Sequence, residues 1–310
     1  MDKLRVFTAF SGYDSQCMAL DKLGIDYDLV GWSEIDKYAI QAHNAVYPQY
    51  AERNFGDISK VNWDEVPDFD LFTYSSPCQD FSNAGKQAGG AEGSGTRSSL
   101  LWECRRAILA KKPKYLVFEN VAALVGNKFI KLFNKWQLEL ESYGYANFAK
   151  VLNAKDYGVP QNRERIFMVS ILRTESDPNP QYFFPKPIPL KKRLKDVLEK
   201  DVDEKYYLSD ETIQMFETHL KKQKEAGRGF GWSPRGGEDV ALTVMNSSGM
   251  RNDDNYLKTE QLPMENTERC IKLGRVNSSQ DGKVSSVRGL SFCLSSGHFN
   301  QPKIVEIDDG

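Results

Sequence analysis

Short apolar runs alternate with amphipathic stretches over the first 172 residues, and this alternation predicts a parallel α/β sheet. Leu4-Arg5-Val6-Phe7-Thr8-Ala9-Phe10 and Asp28-Leu29-Val30-Gly31-Trp32-Ser33 read as strands, mostly apolar as parallel strands covered on both faces must be. Residues 17–23 and 35–47 between and after them read as helices. Asp70 to Ser76 and Tyr115 to Phe118 are further buried strands, with a helix over 98–110 between them. An amphipathic helix is predicted over 129–143, then strands over 145–152 and 165–172. The Pro-rich stretch from Pro178 to Pro189 marks a boundary. Short helices over 190–200 and 210–224 follow, and after Gly227 the chain turns Gly-, Ser- and Asn-rich with isolated apolar pairs. The expectation is two domains, a larger α/β one over 1–180 and a small, loop-rich one over 181–310.

Composition narrows the class. With 310 residues, 40% hydrophobic and 27% charged, the chain has the make-up of a globular protein. It has no apolar run of membrane-spanning length and no signal peptide, so the expected location is cytoplasmic. Five widely spaced cysteines without a Cys-x-x-Cys pair, and three scattered histidines, suggest neither a disulfide framework nor a metal site. The net charge of −2 does not advertise a nucleic-acid binder. Residues 271–303, however, carry Lys272, Arg275, Lys283, Arg288 and Lys303 against the single acid Asp281, a local excess of four positive charges. A solvated loop region would look the same on charge alone.

Candidate chemistry sits at strand ends. Pro77 cannot continue a central strand, so Cys78 falls at the C-terminal end of one, where open α/β sheets place their ligands. A Gly-rich stretch from Phe81 to Arg97 follows, with little apolar surface to bury and the make-up of a closing loop. Glu119 ends the next strand. Ser11-Gly12 turns the first strand into a helix, and Glu34 lies about twenty residues on, where an acid can take ribose hydroxyls. An ordinary βα turn would read alike.

Pro77-Cys78-Gln79, then Glu119-Asn120-Val121, then Gln161-x-Arg163-x-Arg165, in this order and spacing, resemble the cytosine-C5 DNA methyltransferase family. The resemblance covers about residues 4–169 well and the remainder weakly. It implies a Rossmann-like, S-adenosylmethionine-dependent sheet with a smaller target-recognition domain. It assigns Cys78, Glu119, Arg163 and Arg165 to catalysis. Phe10, Gly12, Glu34, Ile35, Asp57, Ile58, Pro77 and Leu100 become cofactor contacts, and Gln79, Ser82, Gln161, Arg163 and Arg165 substrate contacts. Where family members carry Phe-x-Gly-x-Gly-Gly, this chain has Tyr13-Asp14-Ser15 after Gly12. Asp57 also has an ordinary reading, as the cap of the next turn.

The implied chemistry explains the residue types. Carbon 5 of cytosine is a poor nucleophile until a thiolate adds at C6 and makes the ring an enamine. A free cysteine is only about 3% thiolate at neutral pH, so positive neighbours such as Arg163 or Arg165 would help. Glu119 would hold or protonate N3, and the base must leave the duplex. The family's two motifs beyond the recognition region, including a C-terminal helix and strand, have no counterpart before Gly310. The expected partners are therefore double-stranded DNA and a complementing C-terminal polypeptide, with no metal and no membrane. The alternatives are a tRNA cytosine methyltransferase and a non-catalytic DNA-binding scaffold or half of a split enzyme.

Overall fold

The structure, a computed structural model, describes residues 3–77, 97–199, 207–227, 231–244 and 255–259, together with the backbone of strand residues 269–272, 282–283 and 302–303. Contacts divide the chain into two units. The first comprises Met1–Leu152 and Glu164–Lys186, the second Asn153–Arg163 and Pro187–Gly310.

The first unit is built on six strands: β1 (Leu4–Ala9), β2 (Tyr27–Ser33), β3 (Leu71–Tyr74), β4 (Tyr115–Val121), β5 (Tyr145–Asn153) and β6 (Glu164–Leu172). Their order is β2-β1-β3-β4-β6-β5. β1 is parallel to both β2 and β3, β3 is parallel to β4, and β6 is antiparallel to β4. This is a Rossmann-like sheet, parallel over β1 to β4 as the alternation predicts, but mixed because β6 runs antiparallel. The order reverses around β1, so the ends of β1 and β3 flank a switch point, where such sheets bind ligands.

Alternation along the strands feeds two apolar layers. Phe7 and Ala9 of β1, Phe72 and Tyr74 of β3, and Leu116 and Phe118 of β4 belong to one cluster. Helices α3 (Cys104–Lys111) and α4 (Ile130–Ser142) close it with Ala107, Ile108, Phe133, Trp136 and Leu140. Val6, Leu29 and Leu71 face the other way, with Cys17 of α1 (Ser15–Leu23) and Ile40 of α2 (Lys37–Val46). The Phe7 and Phe72 ring centroids lie 6.0 Å apart, and Phe72 and Tyr74 stack at 5.1 Å. Gly31 is required for this packing. A Cβ there would lie 2.7 Å from the Phe55 ring and 2.8 Å from the Phe7 ring.

Two predicted helices come out differently. Residues 98–110 form a 3₁₀ stretch, Arg97–Glu103, before α3 begins at Cys104. Among the described residues 190–199 there is one 3₁₀ turn, Leu194–Asp196, and no α-helix. There the backbone is drawn off by other partners, since Leu194 N–H donates to Asp239 O and Lys195 N–H to Gly237 O.

The second unit has its own small core. Phe216 of α5 (Asp210–Glu225), Trp232 and Tyr256 pack with ring centroids 4.6 to 5.5 Å apart. Strand β7 (Tyr256–Thr259) pairs antiparallel with β8 (Arg269–Lys272). Residues 153–163, which the sequence reading put with the first domain, group here, and the break falls after Lys186 rather than at 180. Backbone bonds explain the grouping: Asn162 N–H donates to Ala241 O at 2.7 Å and Ala241 N–H to Pro160 O at 2.9 Å.

Candidate active site

Parallel pairing aligns the strand ends that carry the candidate residues. Ala9 of β1 stands opposite both Ser33 of β2 and Tyr74 of β3, and Tyr74 opposite Phe118 of β4. The segments leaving that edge are Phe10-Ser11-Gly12, Glu34-Ile35, Ser75-Ser76-Pro77 and Glu119-Asn120.

The β1 and β2 ends are stitched together by hydrogen bonds. Glu34 Oε2 accepts the Gly12 amide at 3.0 Å, while Oε1 accepts the amides of Ile35 and Asp36 at 2.8 and 3.0 Å. Asn54 accepts the amides of Glu34 and Gly56 through Oδ1 and donates through Nδ2 to Glu34 O. Ser33 Oγ donates to Gly56 O at 2.5 Å. Gly12 has φ +59°, a conformation that favours glycine, and no heavy atom lies within 4 Å of where a Cβ would stand. Beside Glu34, Ile35 is 70% exposed. A fixed carboxylate, an exposed apolar side chain and open space over a glycine turn suit a nucleoside, with the acid for its hydroxyls and the apolar group for its base. The residues present therefore fit the adenosine part of S-adenosylmethionine.

The remaining cofactor candidates are placed as follows. Phe10 has φ +55° and packs on the aromatic core. Ile58 is buried in that core, and Leu100 is half-buried in the 3₁₀ stretch. Asp57 caps the turn Ile58–Lys60, accepting from Ser59 N–H at 3.0 Å and Ser59 Oγ at 2.8 Å. The Ser59 hydrogen bond, with lesser help from Lys60, holds its carboxyl below the usual carboxylate range. The capping geometry is thus present, and the half-buried Pro77 ends the described part of the β3 loop.

At the other end, Glu119 and Arg165 come together. Arg165 Nε lies 3.0 Å from Glu119 Oε1. The β4–β6 register explains it: Val121 stands opposite Arg165, and Glu119, two residues back, shares its face. Glu119 lies inside β4, which runs to Val121, rather than just past its end. Gln161 and Arg163 belong to the second unit. Gln161 is buried and bridges Ala241, while Arg163 N–H donates to Asn153 Oδ1 at 3.1 Å. The boundary between the units thus falls inside the Gln-x-Arg-x-Arg motif. Cys78, Gln79 and Ser82 lie outside the described residues, as does the Gly-rich stretch up to Thr96. Two other cysteines, Cys17 and Cys104, are buried, and burial pushes both thiols up, which disfavours the thiolate.

Some residues that brace the candidate site have partners the sequence does not show. Asn120 is buried, and its Nδ2 donates to Ser76 O at 3.2 Å and to Ser76 Oγ at 3.4 Å. Its Oδ1 accepts the Val121 amide. It ties the loop leading to Cys78 to the strand carrying Glu119. The short distance from Glu119 is the one clue; its partner is 44 residues away. Asn54, Asp14 and His43 were missed for the same reason. Among the described residues no group of three or more His, Cys, Asp or Glu side chains is placed to hold a metal ion. No helix of the described residues is long and apolar enough to cross a membrane.

A family model described as C-5 cytosine-specific DNA methylase matches residues 4–292. The chain is 40% identical over 261 residues to the type II methyltransferase M2.ScrFI of Lactococcus lactis subsp. cremoris, an alignment covering 68% of this chain and 71% of that protein. It is 35% identical over 252 residues to the orphan methyltransferase M.Rho11sI of Bacillus phage rho11s, covering 73% of this chain and 49% of that one. The chain thus spans about half to just over two thirds of these relatives' lengths. Among solved structures it is similar to S. pombe Dnmt2 methyltransferase, with TM-score 0.62 and 17% identity over 86% of this chain and 78% of the other. Entamoeba histolytica methyltransferase EhMeth gives TM-score 0.64 and 15% identity over 86% and 79%. These two likenesses speak to the fold alone.

Proposed function

We propose, for a chain that belongs to the C-5 cytosine-specific DNA methylase family, that it transfers a methyl group from S-adenosylmethionine to carbon 5 of a cytosine in double-stranded DNA. The observation that carries the reading is the Glu119–Arg165 pair, 3.0 Å apart at the strand edge that Cys78 follows in sequence. Cys78 adds as thiolate to C6, and the ring's electrons move to C5. Glu119 holds N3 as charge develops there, and Arg165 fixes Glu119 while facing the ring's O2. S-adenosylmethionine, when bound, supplies an electrophilic methyl on a sulfonium leaving group. Once C5 is methylated, loss of its proton and expulsion of the Cys78 thiolate restore the aromatic ring. Glu34, Ile35 and the Gly12 turn receive the adenosine. Gln79, Ser82, Gln161 and Arg163 meet the flipped nucleotide, and the second unit supplies recognition of the duplex.

Methyl transfer from a labelled donor to mixed-sequence duplex DNA tests this. Cys78→Ala is expected to reduce transfer to background while cofactor Kd, by calorimetry, stays within about threefold. Transfer by the variant, transfer to RNA in preference to DNA, or a loss of cofactor affinity comparable to the loss of rate would contradict the assignment.

A further inference from the structure

Beneath the Phe10–Gly12 turn lies a polar cluster closed to solvent. Thr8, Asp14 and His43 are 0% exposed and Ser11 is 4% exposed. Thr8 Oγ1 donates to Asp14 Oδ2 at 2.9 Å, and Ser11 Oγ lies 2.9 Å from Thr8 Oγ1 and donates to Thr8 O. Asp14 Oδ1 accepts the Cys17 amide and so caps α1. From α2, His43 presents Nε2 to Asp14 Oδ2 at 3.5 Å, and that buried nitrogen makes no hydrogen bond. The imidazole stacks on Trp32 with centroids 3.7 Å apart, and its Nδ1 stands 3.3 Å from Asn44 Oδ1.

Asp14 has φ +66° and ψ 55°, the left-handed conformation that glycine takes without strain. This left-handed position thus carries a buried carboxylate. Such a group persists only when donors and a basic partner surround it. Thr8, the Cys17 amide and His43 are those partners here.

We propose that Asp14 and His43 are a co-dependent positioning pair that fixes the residue 10–12 turn in its cofactor-receiving shape. The inference rests on reading that turn as the S-adenosylmethionine site. Neither side chain touches the cofactor. Both act through Ser11 and Gly12, whose amides bond to Ser33 O and Glu34 Oε2. Because removing either one leaves the other buried without its facing group, the two substitutions should not add.

The test is a double-mutant cycle of Asp14→Gly, His43→Leu and both together. It is read by calorimetric Kd for S-adenosylmethionine and by amide hydrogen exchange at Ser11 and Gly12 in the free protein. Each single substitution is expected to weaken binding about tenfold and to speed exchange at the turn, with Phe72 and Thr73 of β3 unchanged. The double variant should be no worse than about twofold beyond either single one. His43→Gln, which keeps a donor near the Nε2 position, should stay within about threefold of wild type and guards against a fold failure. Wild-type affinity and exchange in Asp14→Gly, additive losses in the double variant, or a lower Tm with unchanged exchange at the turn would each overturn the pair. If the wild-type chain binds no S-adenosylmethionine, the cofactor reading fails, while exchange at the turn still decides whether the pair positions it.

Discussion

The turns after β1 and β3 leave the same edge of one sheet, yet they are built differently. The turn after β1 is held from below by Thr8, Asp14 and His43 and from the side by Glu34, Ser33 and Asn54. In the described part of the turn after β3, the Asn120 side chain grips Ser76. A site for a cofactor of fixed shape gains from a turn made rigid before binding, because little ordering remains when the ligand arrives. The Asn120 anchor fixes the backbone at Ser76, two residues before Cys78 in the sequence. On the function proposed above, the contrast sets cofactor binding beside methyl transfer along a single edge.

The strongest way to break the contrast is Glu34→Ala. Three backbone amides lose their acceptor at once, two of them partly buried, and the ribose loses its partner. Cofactor Kd by calorimetry is expected to rise about a hundredfold or more. An unchanged Kd would mean that the β1 turn is not the cofactor site.

Asn120→Ala should do the reverse. It removes the anchor of the Ser76 loop and leaves the buried Ser76 carbonyl without this donor, which costs about 1–3 kcal/mol of stability. At a temperature where the variant is fully folded, kcat for methyl transfer should fall about tenfold with cofactor Kd unchanged. Equal losses in both would mean that the two turns are one mechanical unit.

The smallest effect lies at the opposite edge of the sheet. Asp70, just before β3, accepts from Arg5 Nη2 at 2.8 Å, and that hydrogen bond holds its carboxyl below the usual range. Its folded pKa is thus lower than its unfolded one. The stabilisation is present above about pH 4 and is lost as pH falls through the folded value. Both side chains are partly exposed, so Asp70→Asn should lower Tm by only about 1–3 °C at pH 7. The gap between variant and wild type should close in more acidic buffer, with methyl transfer unaffected. A loss of transfer would show that this edge, too, communicates with the site.

The strands were legible because a buried parallel strand has little freedom of composition. The runs at Leu4, Asp28, Tyr115 and Arg165 each land within a residue or so of β1, β2, β4 and β6 at their start. Glu119 and Arg165 were legible as candidates because they fall in short motifs, and Glu34 because it follows the Gly12 turn by about twenty residues. What could not be read was who holds them. Asn120 finds Ser76 and Asp14 finds His43 only once the sheet is assembled, and no local pattern encodes a partner tens of residues away. The 3₁₀ turn at Leu194–Asp196 escaped for a related reason: its apolar spacing suits a helix, but its amides are taken by residues 237 and 239. The grouping of residues 153–163 with the second unit follows from bonds to Ala241 and Thr243 that spacing cannot reveal.

The central claim, that Cys78 attacks a cytosine in DNA, is tested most directly by trapping. Duplex oligonucleotides carrying 5-fluorocytosine are incubated with the chain and S-adenosylmethionine, and the adduct is digested and read by mass spectrometry. The fluorine at C5 cannot leave as a proton does, so the thioether should persist, and the account predicts an oligonucleotide-modified peptide containing Cys78. Modification at another residue, or no adduct under conditions where unsubstituted duplex is methylated, would contradict it.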